Sequence, residues 1–358
     1  MIIEYISAII RASISILNSA SPWIVCSYII AGLLHDVLPA GKFLKHLGTK
    51  KISAILYTTI SGMFLPICSC GTIPLGISMY YSGAYLGPVL AFMTSTPVIN
   101  PIAVVLSYGL LGRDITLLYI GIGFILPFII GIVGNNLAGE ELCFENASVH
   151  MQGELRDERS LTDKLRDGMS WVINDFGLTI SKYVISGMLM AGFILVTFPS
   201  SLIQKYLGNP SALSLLNIAI LASVMYVCAV GHIPFIAAMI ASGASPGSAV
   251  TFLIAGASTN IAELISIYKM IGKRAAILYG GFVTLLSLFF GYITNLILMP
   301  GFKPSISISS IDYSINYANK LMVIFPEWSK YAASTIIFGF FSYAMYQKLR
   351  CFLEQRFA

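Results

Sequence analysis

The sequence predicts an all-α polytopic membrane protein: two internal repeats of about four spans each, with broken helices meeting at mid-membrane, plus a C-terminal helix. Of its 358 residues, 57% are hydrophobic and only 10% are charged, with a mean hydropathy of +0.83. A soluble domain carries about 25% charged residues. The apolar runs are about 20 residues long, enough to cross a hydrocarbon core of roughly 30 Å. The third observation is an internal repeat, in which the second half of the chain echoes the first.

The repeat aligns residue types that apolar bias alone would not bring together. From 68 to 100, 11 of 33 positions are identical to their counterparts at 228–260, without a gap. The first motif shows it: Cys68, Gly71, Ile73 and Pro74 recur as Cys228, Gly231, Ile233 and Pro234. We call this alignment, which pairs Cys68 with Cys228, the repeat register. Internal repeats of this kind are typical of transporters.

Each repeat accounts for four predicted spans. In the first half these are 21–38, 52–82, 86–111 and 115–137. In the second half they are 181–198, 212–242, 246–268 and 275–298, and a final helix is expected at 331–347. The first 20 residues form an amphipathic or a spanning helix. The resulting domains are 1–138, a polar acidic linker at 139–170 with an amphipathic helix near 161–171, a second repeat at 171–298, and a loop with the last helix at 299–358.

Two interruptions per half predict broken helices. The segment 52–82 is too long for one straight helix, and 86–111 is interrupted at 94–101. Both breaks lie some 15–20 Å from the intervening turn at Gly83, so they should face each other at one depth. The break residues are Pro66, Gly71, Pro74, Pro97 and Pro101 in the first half, and Gly231 and Pro234 in the second. Irregular backbone at that depth indicates a buried or wet site, although prolines also kink ordinary membrane helices.

Basic residues indicate the orientation. With four spans per half, 12 basic residues fall on the side of the membrane where the segment 52–82 begins, and 7 fall on the opposite side. By the positive-inside rule, the side with 12 basic residues is cytoplasmic. An even number of spans makes the two halves parallel. An inverted arrangement remains open if one broken helix is a re-entrant hairpin.

Three cysteines are candidate ligands for a thiophilic substrate. Cys68 and Cys70 form a Cys-x-Cys pair, and Cys228 is the repeat equivalent of Cys68. Thiolates are soft donors that suit Cu(I), Zn(II) or metalloids, so the pair is also the candidate metal site. The alternative is that they are small apolar fillers, which is how we interpret Cys26 and Cys351.

Four polar residues near the breaks are further candidates. His232 replaces Thr72 in the second half, and as an intramembrane imidazole it could bind substrate or carry a proton. Glu263 is either a proton-coupling carboxylate or a partner of Lys269. Asn100 and Asn260 either orient a ligand or cap helices.

Other function classes are not supported. The net charge of +5 reflects topology, because no basic patch interleaves with aromatic residues, and no nucleic-acid partner is expected. The chain has no phosphate-binding loop, nucleophile elbow or zincin motif, so we expect neither an enzyme nor a cofactor.

The motifs resemble those of the ArsP/YraQ-type permease family. The resemblance rests on Pro-x-Cys-x-Cys-Gly-x-x-Pro-Leu at 66–75, Ser-Gly-Ala at 82–84 and Thr-Pro-x-Ile-Asn-Pro at 96–101, with echoes at 231–234 and 258–260. It covers about residues 5–300. It implies a multi-pass inner-membrane permease, with relatives associated with efflux of trivalent organoarsenicals or of soft metals. Carried over, Cys68 and Cys70 would be the substrate-binding thiols.

Three functions follow as hypotheses. The first is a secondary transporter for efflux of a thiophilic substrate: either an organoarsenical, whose export gives arsenical resistance, or a soft metal ion, which makes the function metal transport. The second is a transporter of sulfur compounds. The third is a membrane subunit that needs a soluble or membrane partner. In each case the other partners are membrane lipid and a small substrate.

Overall fold

The computed structural model describes residues 2–36, 47–65, 69–144, 161–197, 212–224, 232–233, 236–237, 239–240, 244–299 and 326–357. These residues form helices and turns without a strand, which confirms the all-α prediction. The thirteen α-helices among them are α1 (Ile2–Asp36), α2 (Ile52–Phe64), α3 (Ser69–Tyr81), α4 (Leu86–Val98), α5 (Pro101–Leu111), α6 (Arg113–Leu137), α7 (Leu161–Trp171), α8 (Gly177–Thr197), α9 (Ala212–Val224), α10 (Pro246–Ser258), α11 (Ile261–Met270), α12 (Lys273–Leu298) and α13 (Glu327–Phe357).

Several helices have the length and composition of membrane spans. Within the described residues, α6 and α12 are long and apolar enough to cross a bilayer by themselves. The pairs α4–α5 and α10–α11 also qualify if each pair is one span, bent by 43° and 40° respectively. The interruption predicted at 94–101 is therefore a bend within a span-length segment.

The first predicted span is part of a longer helix. Helix α1 runs without interruption over 35 residues, about 52 Å, so residues 2–20 and the described part of the first predicted span, 21–36, belong to one element. The second half has a similar element. Helix α7 continues through a π-helical turn, Val172–Phe176, into α8. The helix at Leu161–Trp171 thus continues into the membrane-type helix that follows it.

Helices α2 and α3 pack on α4 in opposite directions. On α2, Ile55 contacts Gly131 beside the first turns of α4, whereas Gly62 lies against Ser95 and Thr96 near its end. Helix α2 is therefore parallel to α4. Helix α3 returns antiparallel to α4, and it joins α4 through the turn at Gly83, whose φ is +92°.

The segment 52–82 is consequently a hairpin, not the single broken span predicted above. Both of its ends lie at one end of the bundle, where the Tyr85 amide donates to the Leu47 carbonyl (3.0 Å). The chain turns because Leu65 adopts an extended conformation (φ −85°, ψ 117°), as expected for a residue before a proline. The end of α2 at Leu65 and the beginning of α3 at Ser69 are at the depth of the bend between α4 and α5.

The two halves run in opposite directions. Tyr28 of α1 bonds Ser181 of α8 (3.0 Å), while Gly32, further along α1, contacts Gly168 and Val172, earlier in the second half. Likewise, the end of α6 meets the beginning of α12, where the Glu141 carboxylate accepts from the Arg274 amide (3.0 Å). The parallel arrangement counted from four spans is therefore wrong, because a hairpin that turns back leaves an odd number of crossings.

One close helix crossing occurs in both halves, at positions that the repeat register pairs. The Gly87 amide donates to Asn135 Oδ1 (3.0 Å), and the Gly247 amide donates to Asn295 Oδ1 (2.7 Å). A side chain at either glycine would overlap the facing asparagine. These contacts hold α4 against α6 and α10 against α12, and so position the two helix bends.

The C-terminal helix α13 packs on both long helices, α1 and α8. Ser334 Oγ donates to Asn18 Oδ1 (2.6 Å), and Phe340 meets Tyr28 edge to face. It therefore covers the α1–α8 pair, on the outside of the bends.

Candidate functional site

The first helix bend is built by Asn100 and its neighbouring prolines. Pro101 occupies the first position of α5, where its missing N–H costs nothing. Asn100 is the N-cap, and its Oδ1 accepts from the Ala103 amide (2.9 Å). Pro97 lies in the last turn of α4 and cannot donate to the preceding turn. The bend is thus encoded on both of its sides.

Tyr119 supports this bend from α6. The side chain is fully buried, and its hydroxyl donates to the Val98 carbonyl, the last of α4. A carbonyl at a helix end has no intrahelical partner. Tyr119 therefore satisfies a backbone group that the bend would otherwise leave unpaired.

The second bend has a similar cap but an added carboxylate. Asn260 Oδ1 accepts from the Glu263 amide (2.9 Å) and begins α11. Glu263 Oε2 accepts from Asn260 Nδ2 (3.1 Å), and Glu263 Oε1 accepts from the Tyr279 hydroxyl (3.0 Å). The equivalent of Glu263 in the first half is Ala103. The two bends share a cap and differ in charge.

Glu263 is completely buried, and its partners are neutral. Lys269, the alternative partner proposed from the sequence, lies instead over the ring of Tyr268 (5.4 Å to the centroid). A buried carboxylate normally needs a cation or several donors. Here two neutral donors take that role.

The Glu263 cluster also reaches the first half of the chain. The Tyr279 hydroxyl interacts with the hydroxyls of Thr94, on α4, and Ser258, at the end of α10. Both residues are fully buried. Within the described part of the chain, Ser258 Oγ has no hydrogen-bond partner, whereas Thr94 Oγ1 donates to the Leu90 carbonyl (2.7 Å).

Helix α9 ends beside the second bend. Ser223, in its last turn, bonds the Thr259 hydroxyl (2.9 Å). Helix α9 therefore ends at the depth of this bend, as α2 does in the first half.

Of the three candidate thiol residues, the structure describes only the backbone of Cys70. Pro66, Cys68, Cys228, Gly231 and Pro234 lie outside the described residues. Cys70 begins α3, but its side chain is likewise outside them. Among the side chains that are described, no group of three His, Cys, Asp or Glu residues could hold a metal. The metal site remains a prediction.

Gly71 and Pro74 are not at a break. Both lie inside α3, in its first two turns, and the break comes before Ser69. Pro74 there removes one amide donor from the helix. The sequence motif thus extends beyond the turn it was expected to mark.

His232 packs against α10, with its ring 6.1 Å from that of Phe252. Phe252 precedes Ser258 by six positions, about 9 Å along the helix. His232 therefore packs on α10 somewhat less than two turns before the second bend.

An additional cluster closes the end of the bundle where α6 and α12 meet. Glu141 accepts from the Arg274 and Ala275 amides, at the beginning of α12, and its carbonyl accepts from Tyr80 (3.1 Å). The Tyr81 hydroxyl donates to the Met270 carbonyl (2.9 Å). We call this end, at Gly139–Leu142, the linker end.

The family of predicted permeases named ArsP_1 matches residues 6–296. The chain belongs to this family. The resemblance proposed from the motifs is therefore confirmed, and the match spans both helix bends.

Similar proteins in the family come from distant organisms. A UPF0718 protein of Methanocaldococcus jannaschii is 25% identical over 77% of this chain and 91% of its own. One from Bacillus subtilis is 26% identical over 73% and 88%. A Streptococcus mutans protein, provisionally named a two-component membrane permease complex subunit, is 22% identical over 70% and 83%. No solved structure matches.

Sequence reasoning missed several residues of the site: Tyr119, Tyr279, Ser258 and Thr94. A pattern that could have found the tyrosines is present. The repeat register pairs Tyr119 with Tyr279, as it pairs Asn135 with Asn295, beyond the stretch where the repeat was read. Thr94 and Ser258 have no such pattern, because their equivalents are Ile254 and Val98.

Proposed function

We propose that this permease is a secondary transporter that exports a thiophilic substrate, a trivalent organoarsenical or a soft metal ion. The substrate binds at the hairpin tip through Cys68 and Cys70, with Cys228 contributing from the other half. One observation carries this proposal: α2 and α3 pack on α4 as a hairpin, so the end of α2 at Leu65 and the beginning of α3 at Ser69 lie at the depth of the α4–α5 bend.

The proposal includes an inverted repeat. Helix α1, a hairpin, a bent span and α6 make one unit, and their counterparts from Leu161 to Leu298 make the other. This places the boundary of the second unit at 161, ahead of the 171 expected from composition. It is supported by the paired crossings at Asn135 and Asn295 and by the antiparallel contact of α6 with α12.

This topology also gives an orientation in a cell or inner membrane. Leaving α13 and Lys182 aside, the cations with described side chains at the linker end are Lys50, Lys51, Arg166, Lys269, Lys273 and Arg274. Those at the opposite end are Arg11 and Arg113. By the positive-inside rule the linker end is cytoplasmic. The inverted arrangement therefore produces a clear charge bias.

Transport needs a driving ion. His232 and Glu263 are the proton-coupling candidates, because both are ionisable and both lie along α10–α11. One charge moved across the membrane is worth about 2.3 kcal/mol per 100 mV. Asn100 and Asn260 use their Oδ1 atoms as helix caps, so a ligand-orienting role falls to the Asn100 amide nitrogen, which donates to no described residue.

Resistance assays test the substrate and the thiols together. A sensitised host expressing Cys68→Ser or Cys70→Ser should lose resistance to a trivalent organoarsenical or to a soft metal, whereas Cys26→Ser should retain it. Membrane expression of each variant is measured in parallel. Unchanged resistance to all compounds in both thiol variants would remove the export proposal, and covalent capture of a sulfur compound at these thiols would replace it.

A second candidate is a membrane subunit that works only with a partner. The name of the Streptococcus mutans relative favours it. Vesicles that contain only the purified chain distinguish the two. Uptake of a labelled phenylarsenical into such vesicles would exclude the requirement for a partner, and uptake that appears only after co-expression with a second subunit would establish it.

A further inference from the structure

Four oxygen-bearing side chains converge beside the second bend: Glu263, Tyr279, Ser258 and Thr94. Each is fully buried. Three come from the second half of the chain, and Thr94 comes from the first. The cluster therefore lies where the two halves meet.

The bonding within this cluster leaves one group unsatisfied. Tyr279 donates to Glu263 Oε1, Asn260 donates to Glu263 Oε2, and Thr94 donates to the Leu90 carbonyl (2.7 Å). Ser258 Oγ, next to the Tyr279 hydroxyl, has no hydrogen-bond partner among the residues that the structure describes. A buried hydroxyl without a partner is costly. Its position indicates a state of the cluster in which it acquires a partner.

Among the described residues, no cation is paired with Glu263, whose hydrogen-bond partners are Tyr279 and Asn260. Lys182 lies on the adjacent α8, and Lys269 lies over the ring of Tyr268. Carboxylate and hydroxyl oxygens are hard ligands, unsuited to soft metals. A proton neutralises a lone buried carboxylate without needing further ligands.

We propose that Glu263 is an exchangeable proton site completed by both halves of the chain. In the ionised state Tyr279 donates to the carboxylate. When a proton from water binds a Glu263 oxygen, the new O–H donates to the Tyr279 oxygen. The Tyr279 hydroxyl then turns to Ser258 Oγ, which gains its missing partner.

Thr94 links this exchange to conformation. Its contact with Tyr279 exists only while α4 and the second bend are together, so separating the halves changes the surroundings of the site. A proton that binds the two arrangements unequally shifts their equilibrium. This coupling deepens the transport mechanism proposed above and rests on it. The proton site itself stands independently of the substrate.

The matched comparison comes from the first half. Tyr119 is equivalent to Tyr279, equally buried, and bonds a backbone carbonyl rather than a carboxylate. Replacing either tyrosine by phenylalanine removes one hydroxyl at one of the two bends. Only the Tyr279 variant removes a donor from Glu263.

Infrared difference spectroscopy of the purified full chain, titrated from acid to alkaline pH, tests the proposal. We expect a protonated-carboxyl band that is absent in Glu263→Gln. In Tyr279→Phe it should persist to higher pH by about one unit, the worth of one hydrogen bond to a charged group, with no shift in Tyr119→Phe. If Glu263→Gln does not fold, the pH at which the band disappears is compared between the unsubstituted chain, Tyr279→Phe and Ser258→Ala.

Three outcomes would overturn the proposal. One is a band that Glu263→Gln retains, another is an equal shift in both tyrosine variants, and the third is loss of the band on adding sodium in place of choline at constant pH, which would make the ion Na⁺. A titrating Glu263 in a chain that confers no arsenical resistance would leave this site standing and remove only the substrate proposal.

Discussion

Removing the Glu141 carboxylate should loosen the linker end of the bundle. Glu141 supplies a cap that α12 lacks, since the residue before α12 is Gly272. Its oxygens accept from the Arg274 and Ala275 amides, and a side chain at Gly272 would overlap them. In Glu141→Ala, both amides lose their acceptor, and the first turn of α12 loses a favourable negative charge.

The expected size follows from the two lost interactions. Loss of an N-cap acceptor costs about 0.5–2 kcal/mol, typically about 1, and the helix dipole adds about 0.3–1 kcal/mol. A total of about 1–2 kcal/mol corresponds to a roughly 5- to 30-fold increase in local opening.

Cys143 reports this opening. Its thiol is half-buried two positions after Glu141 and contacts the Gly83 carbonyl (3.9 Å). Alkylation by a maleimide, followed peptide by peptide by mass spectrometry in the full chain, should accelerate about 5- to 30-fold in Glu141→Ala. Glu140→Ala, which removes the exposed neighbouring carboxylate, should stay within about twofold. Equal rates in the two variants would refute the role given to Glu141.

Further predictions concern packing and titration. Asn135→Ala and Asn295→Ala should each lower detergent stability by about 1–2 kcal/mol, because each removes the acceptor of a buried amide; thermal melts compare them. Gly62→Ala should destabilise by about 1–3 kcal/mol, since it overlaps a serine of α4, while Gly121→Ala, with open space, should not. Burial raises the pKa of the Cys143 thiol, so its alkylation should reach half its maximal rate above about pH 8.5; a midpoint at or below that value would contradict this.

The helical content and the helix bends could be predicted from the chain because their causes are local. Pro97 and Pro101 remove amide donors, and Asn100 and Asn260 are N-cap residues, wherever the helices later pack. The prediction of 52–82 as one broken span was wrong for the same reason. Pro66 acts locally, so it predicts that the helix is interrupted but not the angle between the helices on its two sides. Only the packing of Ile55, Gly62 and α3 on α4 reveals that the chain turns back.

The site could be predicted only in part, because its members are distant in sequence. Glu263 and Asn260 are one helical turn apart and were found together. Tyr279 and Thr94 were not, since Tyr279 comes from the following helix and Thr94 from the other half of the chain. A buried tyrosine or threonine in an apolar helix is ordinary in composition, so neither residue stands out by itself.

The sequence by itself predicted a helical membrane protein and its permease family, because composition, helix caps and prolines act over a few residues and the motifs are read directly from the chain. Tertiary structure alone decided that the halves run in opposite directions and that Glu263 meets neutral partners. The relative direction of the halves depends on whether the segment 52–82 crosses the membrane or turns back within it. The surroundings of the buried Glu263 carboxylate depend on side chains contributed by several helices. Neither follows from neighbouring residues.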